Sequence, residues 1–322
     1  DVYKRQIGID ARFFDRFGVT IDLYNKNTSD LLYYAPLPNI SGYTGQYKNV
    51  GAINNKGLEI SLNADVIRTS KFQWTSDFNI GFNRNRVTEL YGGKPELKGL
   101  KRLEEGRDMD EWYLREWAGV DPANGSPLWY TTDENGKRTT TDSYNKADRV
   151  YCGSAAPKFT GGWMNSFSYK GFTLTANFDF VYGNLLYNQS RELLDSDGAY
   201  ADYNSMKLKS GWKRWEKEGD IATHPKAING GNKNSNKSSS RYLEKGNYFS
   251  LRNLSLGYSI PEKLCGKLGL QRVNVSCSAD NLFTLTPFSG VSPQLSDSST
   301  DGYAGTIYPL SRRIVFGLNV SF

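Results

Sequence analysis

Residues 309–322 read PLSRRIVFGLNVSF, and this stretch decides the fold. From Arg313 onward the side chains fall into two alternating sets. Ile314, Phe316, Leu318, Val320 and Phe322 form one, and Arg313, Val315, Gly317, Asn319 and Ser321 form the other. A period of two is that of a β-strand, here with one wholly apolar face and one small or mostly polar face. The strand ends on an aromatic residue that is also the last in the chain. A membrane barrel uses such a strand to close its sheet, with the apolar face turned to lipid. A soluble β-sandwich is the competing reading.

The same alternation recurs upstream. Ile7–Phe14 and Val19–Tyr33 read as a hairpin, with Ile7, Ile9, Ala11 and Phe13 on one face and Val19, Ile21 and Leu23 likewise aligned. Gly57–Ile67 sets Leu58, Ile60, Leu62, Ala64 and Val66 against Glu59, Ser61, Asn63 and Asp65. Phe72–Arg84 places Phe72, Trp74, Phe78, Ile80 and Phe82 on one side, interrupted by Ser76. Further strands are expected at Lys158–Tyr169, Phe172–Tyr182, Tyr248–Ile260 and Gln271–Leu282. Acids and amides at regular positions opposite an apolar face imply a wet interior, because a dry core would leave them unpaired.

Short turns (Asp15–Gly18, Arg68–Lys71, Lys170–Gly171, Pro261–Gly269) alternate with long loops at residues 34–55, 87–156, 183–246 and 286–308. In an antiparallel barrel every second connection lies on one rim, and short turns opposite long loops are the outer-membrane arrangement. A short helix is expected over Tyr200–Trp215, and the low-complexity run Asn229–Ser240 (NGGNKNSNKSSS) is expected to be mobile.

Composition excludes several classes. The 40 Lys plus Arg against 34 Asp plus Glu give a net charge of +6, dispersed in short groups, so no nucleic-acid arm is present. With 38% hydrophobic residues but 32 Gly, 21 Tyr and 16 Phe, the chain suits many strands that each have one apolar face. No run of about 18 apolar residues exists, which rules out a helical membrane span and says nothing against a barrel. Cys152, Cys265 and Cys277 have no metal-ligand spacing and are read as unpaired. There is no initiator Met and no signal peptide, so the chain reads as a piece of a longer polypeptide; Asp1–Gln6 (DVYKRQ) runs directly into strand-like sequence, and its first few residues are candidates for sequence foreign to the natural protein.

Several segments resemble the C-terminal half of SusC/RagA-like TonB-dependent outer-membrane transporters. They are Gly51–Glu59 (GAINNKGLE), Gly119–Tyr130 (GVDPANGSPLWY), Gly153–Lys170 (GSAAPKFTGGWMNSFSYK), Leu251–Leu264 (LRNLSLGYSIPEKL) and Asp280–Gly290 (DNLFTLTPFSG), closed by Tyr308–Arg312. The resemblance implies an all-β, transmembrane antiparallel barrel of 22 strands, of which residues 1–322 hold the last nine. It implies that the plug, TonB box and N-terminal domain lie elsewhere. It also implies energy-coupled import of oligosaccharides or peptides, with a SusD-like surface lipoprotein and the TonB complex as partners, outer-membrane lipid around the barrel and no cofactor. A siderophore or cobalamin receptor of the wider superfamily and a secreted β-rich binding or adhesion protein are the alternatives.

No catalytic residue is expected. The sole histidine, His224, reads as a solvated loop residue. The acids Glu104, Glu105, Asp108, Asp110 and Glu111 lack the spacing of a calcium loop or a glycosidase pair, and no metal site is assigned. Gly161-Gly162 sits at a strand start and not in a phosphate loop. Candidates for ligand or partner contact are the loop aromatics Tyr43, Tyr47, Trp112, Tyr113, Trp117, Trp129, Tyr130, Trp212 and Trp215. Sugar rings stack on such groups, although the same residues also hold loops together or dock proteins. Trp74 and Trp163 read as lipid-facing. Glu59, Asp65, Asp77, Asp179, Arg252, Asp280 and Arg313 are expected to line the lumen. Asp121 and Asn124 are expected to fix a turn.

Overall fold

The structure is a computed structural model that describes residues 1–267, 269–294, 302–305 and 307–322. Nine strands form one sheet in chain order: Val2–Phe13, Phe17–Thr28, Ala52–Arg68, Phe72–Glu89, Phe159–Tyr169, Phe172–Tyr182, Tyr248–Ser259, Arg272–Leu285 and Arg313–Ser321. They are the first to ninth strands below. Every neighbouring pair is antiparallel. Among the described residues, the first and ninth strands each pair on one side only.

The register carries the apolar set across the first eight strands. Ile9, Ile21, Ile60, Ile80, Gly161, Phe180, Phe249 and Leu285 form one continuous row. This face is bare: Ile7 is 72% exposed, Phe316 80% and Leu318 70%. An exposed apolar face of that extent marks contact with lipid or a partner. Aromatics gather at both ends of it. Phe72, Tyr169, Phe172 and Tyr258 lie side by side at the short-turn rim, and Phe82, Phe159 and Tyr182 lie at the long-loop rim. The 11-residue strand Phe172–Tyr182 joins the two belts. At roughly 3.3 Å per residue and a tilt near 45°, it spans about 24 Å along a membrane normal, the height of an outer-membrane apolar band. The two polar groups within this face are paired by indole N–H donors, Trp163 to Ser76 Oγ at 2.9 Å and Trp74 to Asn165 Oδ1 at 3.1 Å.

The opposite face is a polar ladder. Thr20 donates to Asp10, Gln6 to Asp22, Asn63 to Asp77, Tyr248 to Asp179 and Asn253 to Asp280. Glu59, Asp65, Asp77, Asp179, Asp280 and Arg313 all fall on it by register. Arg313 donates to Asp280 Oδ2 through Nε at 2.9 Å and Nη2 at 2.7 Å. Arg252 sits in a bulge between Leu251 and Asn253 and reaches Asp179 Oδ1 at 3.5 Å.

The structure departs from alternation in several places. The first strand begins at Val2, so Asp1–Gln6 belongs almost entirely to it. The second ends at Thr28 instead of Tyr33, the third begins at Ala52 instead of Gly57, and the fourth runs to Glu89 instead of Arg84. In the extensions of the first, third and fourth strands the ladder continues while the outward side chains turn polar, so the apolar signal stops before the strand does. A bulge between Asp65 and Ile67 pairs Ile67 with Trp74, which takes Val66 out of the row assigned to it. The Lys170-Gly171 turn behaves as read: both residues have positive φ (47° and 88°), the twist-matched form of a two-residue hairpin turn.

The long connections are folded. The first long connection holds a hairpin of Leu32–Pro36 with Gly45–Asn49, which begins two residues before the expected loop, and residues 87–156 contain short strands such as Glu111–Arg115, Pro127–Thr132 and Arg149–Ser154. Tyr200–Trp215 is not helical. Trp215 is instead drawn onto Pro122 and the chain beside it bridges to His224, tertiary contacts that outweigh local propensity. Helices occur at Gln189–Leu194 and, inside the Pro261–Gly269 turn, at Glu262–Lys267. Part of the 286–308 loop lies outside the described residues.

Candidate functional site

The buried core lies in the long loops, above the sheet. Trp112, Leu114, Ala155, Tyr187 and Tyr242 form its centre, with Leu185 and Tyr303 packed against them. Trp112 is fully buried; its indole N–H donates to Leu185 O at 3.0 Å, and its ring meets Tyr303 edge-on at 5.1 Å. Trp129 is also fully buried, with edge contacts to Trp117 and Tyr144. Trp215 is 8% exposed and donates to Pro122 O at 2.9 Å. Trp112, Trp129 and Trp215 are thus packed among loop residues. Their side chains hold the loops to one another.

The half-buried aromatics are engaged by cations. Arg102 lies 4.8 Å from the Tyr113 ring, Arg241 5.1 Å from Trp117, Arg138 3.8 Å from Tyr130 and Arg191 4.5 Å from Trp212. Of the nine candidate contact aromatics, the two in the first long loop are the open ones. Tyr43 is 74% exposed and Tyr47 69%, beside the fully exposed Ile40. Tyr34 braces Tyr47 edge-on at 5.1 Å.

A charged cluster absent from the sequence reading ties the loops together. Asp195 and Asp197 are buried beside Arg191, Arg214 and Arg241. Arg191 also reaches Glu244 at 3.0 Å, and Ser235 Oγ donates to Asp197 Oδ2 at 2.6 Å. Burial alone would raise the Asp195 pKa; the hydrogen bond with His224 and the positive charges of Arg241 and Arg191 outweigh it and hold the carboxyl below its ordinary value. His224 is 1% exposed, not solvated: its Nε2 lies 3.0 Å from Asp195 Oδ2 and its Nδ1 lies 2.8 Å from Thr223 Oγ1. The run Asn229–Ser240 is likewise fixed, because Asn232 donates to Gly125 O and Lys226 O while Ser235 and Ser239 are fully buried.

The Thr223–His224–Asp195 chain has the order of a nucleophile, base and orienting acid. Its hydroxyl is also engaged by the Lys213 backbone through both N–H and C=O, and the imidazole is enclosed, so the base has no open side toward a substrate. The acidic run is equally occupied. Asp110 accepts from Lys101 at 2.6 Å, Glu111 from Arg107 at 2.9 Å, Asp108 from Ser154 at 2.9 Å, and Glu104 from Tyr151. Among the described residues, no group of three or more His, Cys, Asp or Glu side chains is arranged to hold a metal. Asp121 and Asn124 close a turn as read: Asp121 Oδ1 accepts from Ala123 N, and Asn124 Oδ1 from Ser126 N, both at 2.9 Å.

Residues 5–282 match the family described as TonB dependent receptor-like, beta-barrel. The chain belongs to this family. TonB-dependent receptor P3 of Formosa agariphila is 30% identical over 98% of the chain and 33% of its own length. TonB-dependent receptor SusC of Bacteroides thetaiotaomicron is 23% identical over 98% of the chain and 31% of its own length. The RagAB peptide transporter structure superposes with a TM-score of 0.86 at 27% identity, over all of this chain and 35% of that one. The chain is thus SusC/RagA-like and spans about a third of the length of the curated relatives it matches. Family membership places it in the outer membrane and removes the secreted adhesion alternative.

Proposed function

We propose that the complete protein imports oligosaccharides or peptides across the outer membrane, driven through TonB and assisted by a SusD-like surface lipoprotein. In this reading residues 1–322 supply the last nine strands of a closed 22-strand barrel. The ladder bearing Glu59, Asp65, Asp77, Asp179, Arg252, Asp280 and Arg313 faces the lumen, and the long loops face outward. The Tyr43 and Tyr47 hairpin is open to a ligand or to the lipoprotein.

One observation carries the reading. The same nine strands bear a belted apolar face and a hydrogen-bonded polar face, under loops that have a core of their own. That combination suits a wall between lipid and a wet passage. Similarity along the whole chain to a peptide transporter supports the ligand class, and similarity to SusC supports the same architecture.

Disruption of the encoding gene tests it. Growth on one polymer class, glycan or peptide, is expected to stop, and dissipating the proton-motive force in the intact strain should copy the defect. If growth on both continues while uptake of iron chelates or cobalamin fails, the siderophore or cobalamin alternative replaces the proposal.

A further inference from the structure

The outward face changes character abruptly at the long-loop rim. Ile7, Leu23, Leu58 and Phe82 form its last apolar row on the first four strands. The next outward row is Arg5, Asn25, Lys56 and Arg84, and the one beyond it is Tyr3, Asn27, Asn54 and Arg86. Lys56, Arg84 and Arg86 are exposed, and among the described residues none of the three makes an ion pair or a side-chain hydrogen bond. The amides between them are already organised, with Asn54 Nδ2 donating to Asn25 Oδ1 at 2.6 Å.

Two clefts meet at these cations. One, of about 410 Å³, is lined by Asn27, Asn54, Lys56, Arg84, Arg86 and Thr88. The other, of about 800 Å³, opens where the fourth strand runs on past its pairing with the fifth, which begins at Gly81 and Thr160. Its walls include Leu23, Leu58 and Phe82 from the apolar band together with Lys56, Arg84 and Lys158. The carboxylate on its wall, Asp108, is turned to Ser154 Oγ and the Asp110 N–H. An apolar wall therefore runs directly into an uncompensated cationic one.

We propose that this junction binds a phosphate-bearing lipid of the surrounding leaflet, with acyl chains along Leu23, Leu58 and Phe82 and the headgroup phosphate on Lys56, Arg84 and Arg86. Two features select a lipid over a soluble anion. The cations begin one residue pair beyond the apolar band, where headgroups lie, and the larger cleft shares Leu23, Leu58 and Phe82 with the lipid-facing surface. Guanidinium pairs suit phosphate by bidentate donation, and basic groups at a membrane surface each add to anionic-lipid affinity. The transport reading does not depend on this site.

The test uses the complete protein purified from outer membranes in mild detergent, with bound lipid counted by native mass spectrometry. The triple variant K56Q/R84Q/R86Q should lose co-purifying phosphorylated lipid at least about tenfold. R68Q/K71Q, at the short-turn rim, should retain it. On delipidated wild-type protein, a phosphorylated lipid should rebind at least about tenfold more tightly than its dephosphorylated form, so the proposal stays testable if the triple variant does not fold. Equal lipid loads in the folded variants, equal affinity for the two lipids, or loss of an acidic protein instead of a lipid would overturn the assignment.

Discussion

His224 Nε2 lies 3.0 Å from Asp195 Oδ2, inside a cluster whose other members are Asp197, Arg191, Arg214, Arg241 and Glu244. Removing one member of a buried pair leaves the other charge uncompensated, at a cost of about 3–5 kcal/mol. Asp197→Ala takes an acceptor from Arg214, Arg241 and Ser235 together. Hydrogen exchange should accelerate across residues 189–244 and stay unchanged in the nine strands. Uniform acceleration, or none, would contradict a role confined to the loops.

The same cluster sets a pH dependence. The Asp195 pKa is lowered on folding, so its contribution is present above the ordinary carboxylate value and is lost as pH falls through the depressed folded one. Exchange protection in the loops should therefore hold as pH is lowered to about 4 and weaken below it. A loss of protection nearer pH 6 would point away from Asp195.

Burial pushes the Cys152 thiol up to about 11, against a hydrogen-bonding contribution from Leu114 that pulls it down. Its thiolate is therefore scarce at neutral pH, and the thiolate is the species that alkylates. Iodoacetamide labelling of Cys152, followed by mass spectrometry, should be slow at pH 7.5 and rise as pH approaches 11. Rapid labelling at neutral pH would mean that the loop core around Trp112 and Leu114 opens readily.

Strand interiors were legible because burial and lipid contact impose alternation, as at Phe172–Tyr182, where the boundaries in the structure equal those read from sequence. Strand ends were not, since beyond Leu58 and Phe82 the outward positions become Lys56 and Arg84 and the pattern dissolves. A turn such as Asp121–Ser126 was readable because its bonds are local. The cluster around Asp195 was not, because its partners are up to 53 residues apart in sequence and each, taken alone, looks like an ordinary surface charge. His224 and the low-complexity run at 229–240 were misjudged for the same reason: nothing local announces that distant Asp195, Asp197 and Gly125 bind them. Trp112, Trp129 and Trp215 stand out in the sequence as loop aromatics, but pattern cannot distinguish an aromatic that packs loops from one that meets a ligand.

Two neighbours on the sixth strand test the assignment of faces. Phe178 points outward, against Trp163 and Phe249, whereas Asn177 points to the polar side. Phe178→Arg should destabilise the protein by about 2–4 kcal/mol, the cost of a cation at mid-depth on a lipid face. Asn177→Arg should change stability by no more than about 0.5 kcal/mol. Guanidinium unfolding in detergent, followed by gel mobility of the folded barrel, measures both. Equal costs would mean that the polar ladder is not wet.

Gly161 offers the sharpest packing test. A Cβ there would lie 2.3 Å from Asn79 O and 2.5 Å from the Phe180 ring, which lies across the gap in the apolar row. Phe180 in turn stacks on Phe78 at 5.9 Å, so it cannot withdraw without unpacking a second ring. Neighbouring Gly162 has its nearest such contact at 3.3 Å, to the movable Asn79 side chain. Gly161→Ala should therefore cost about 1–3 kcal/mol as forced overpacking, and Gly162→Ala distinctly less. Unfolding midpoints of the two variants decide the matter. Equal shifts would show that the ring over Gly161 moves aside freely, and the close approach of the fourth, fifth and sixth strands would then owe nothing to the missing side chain.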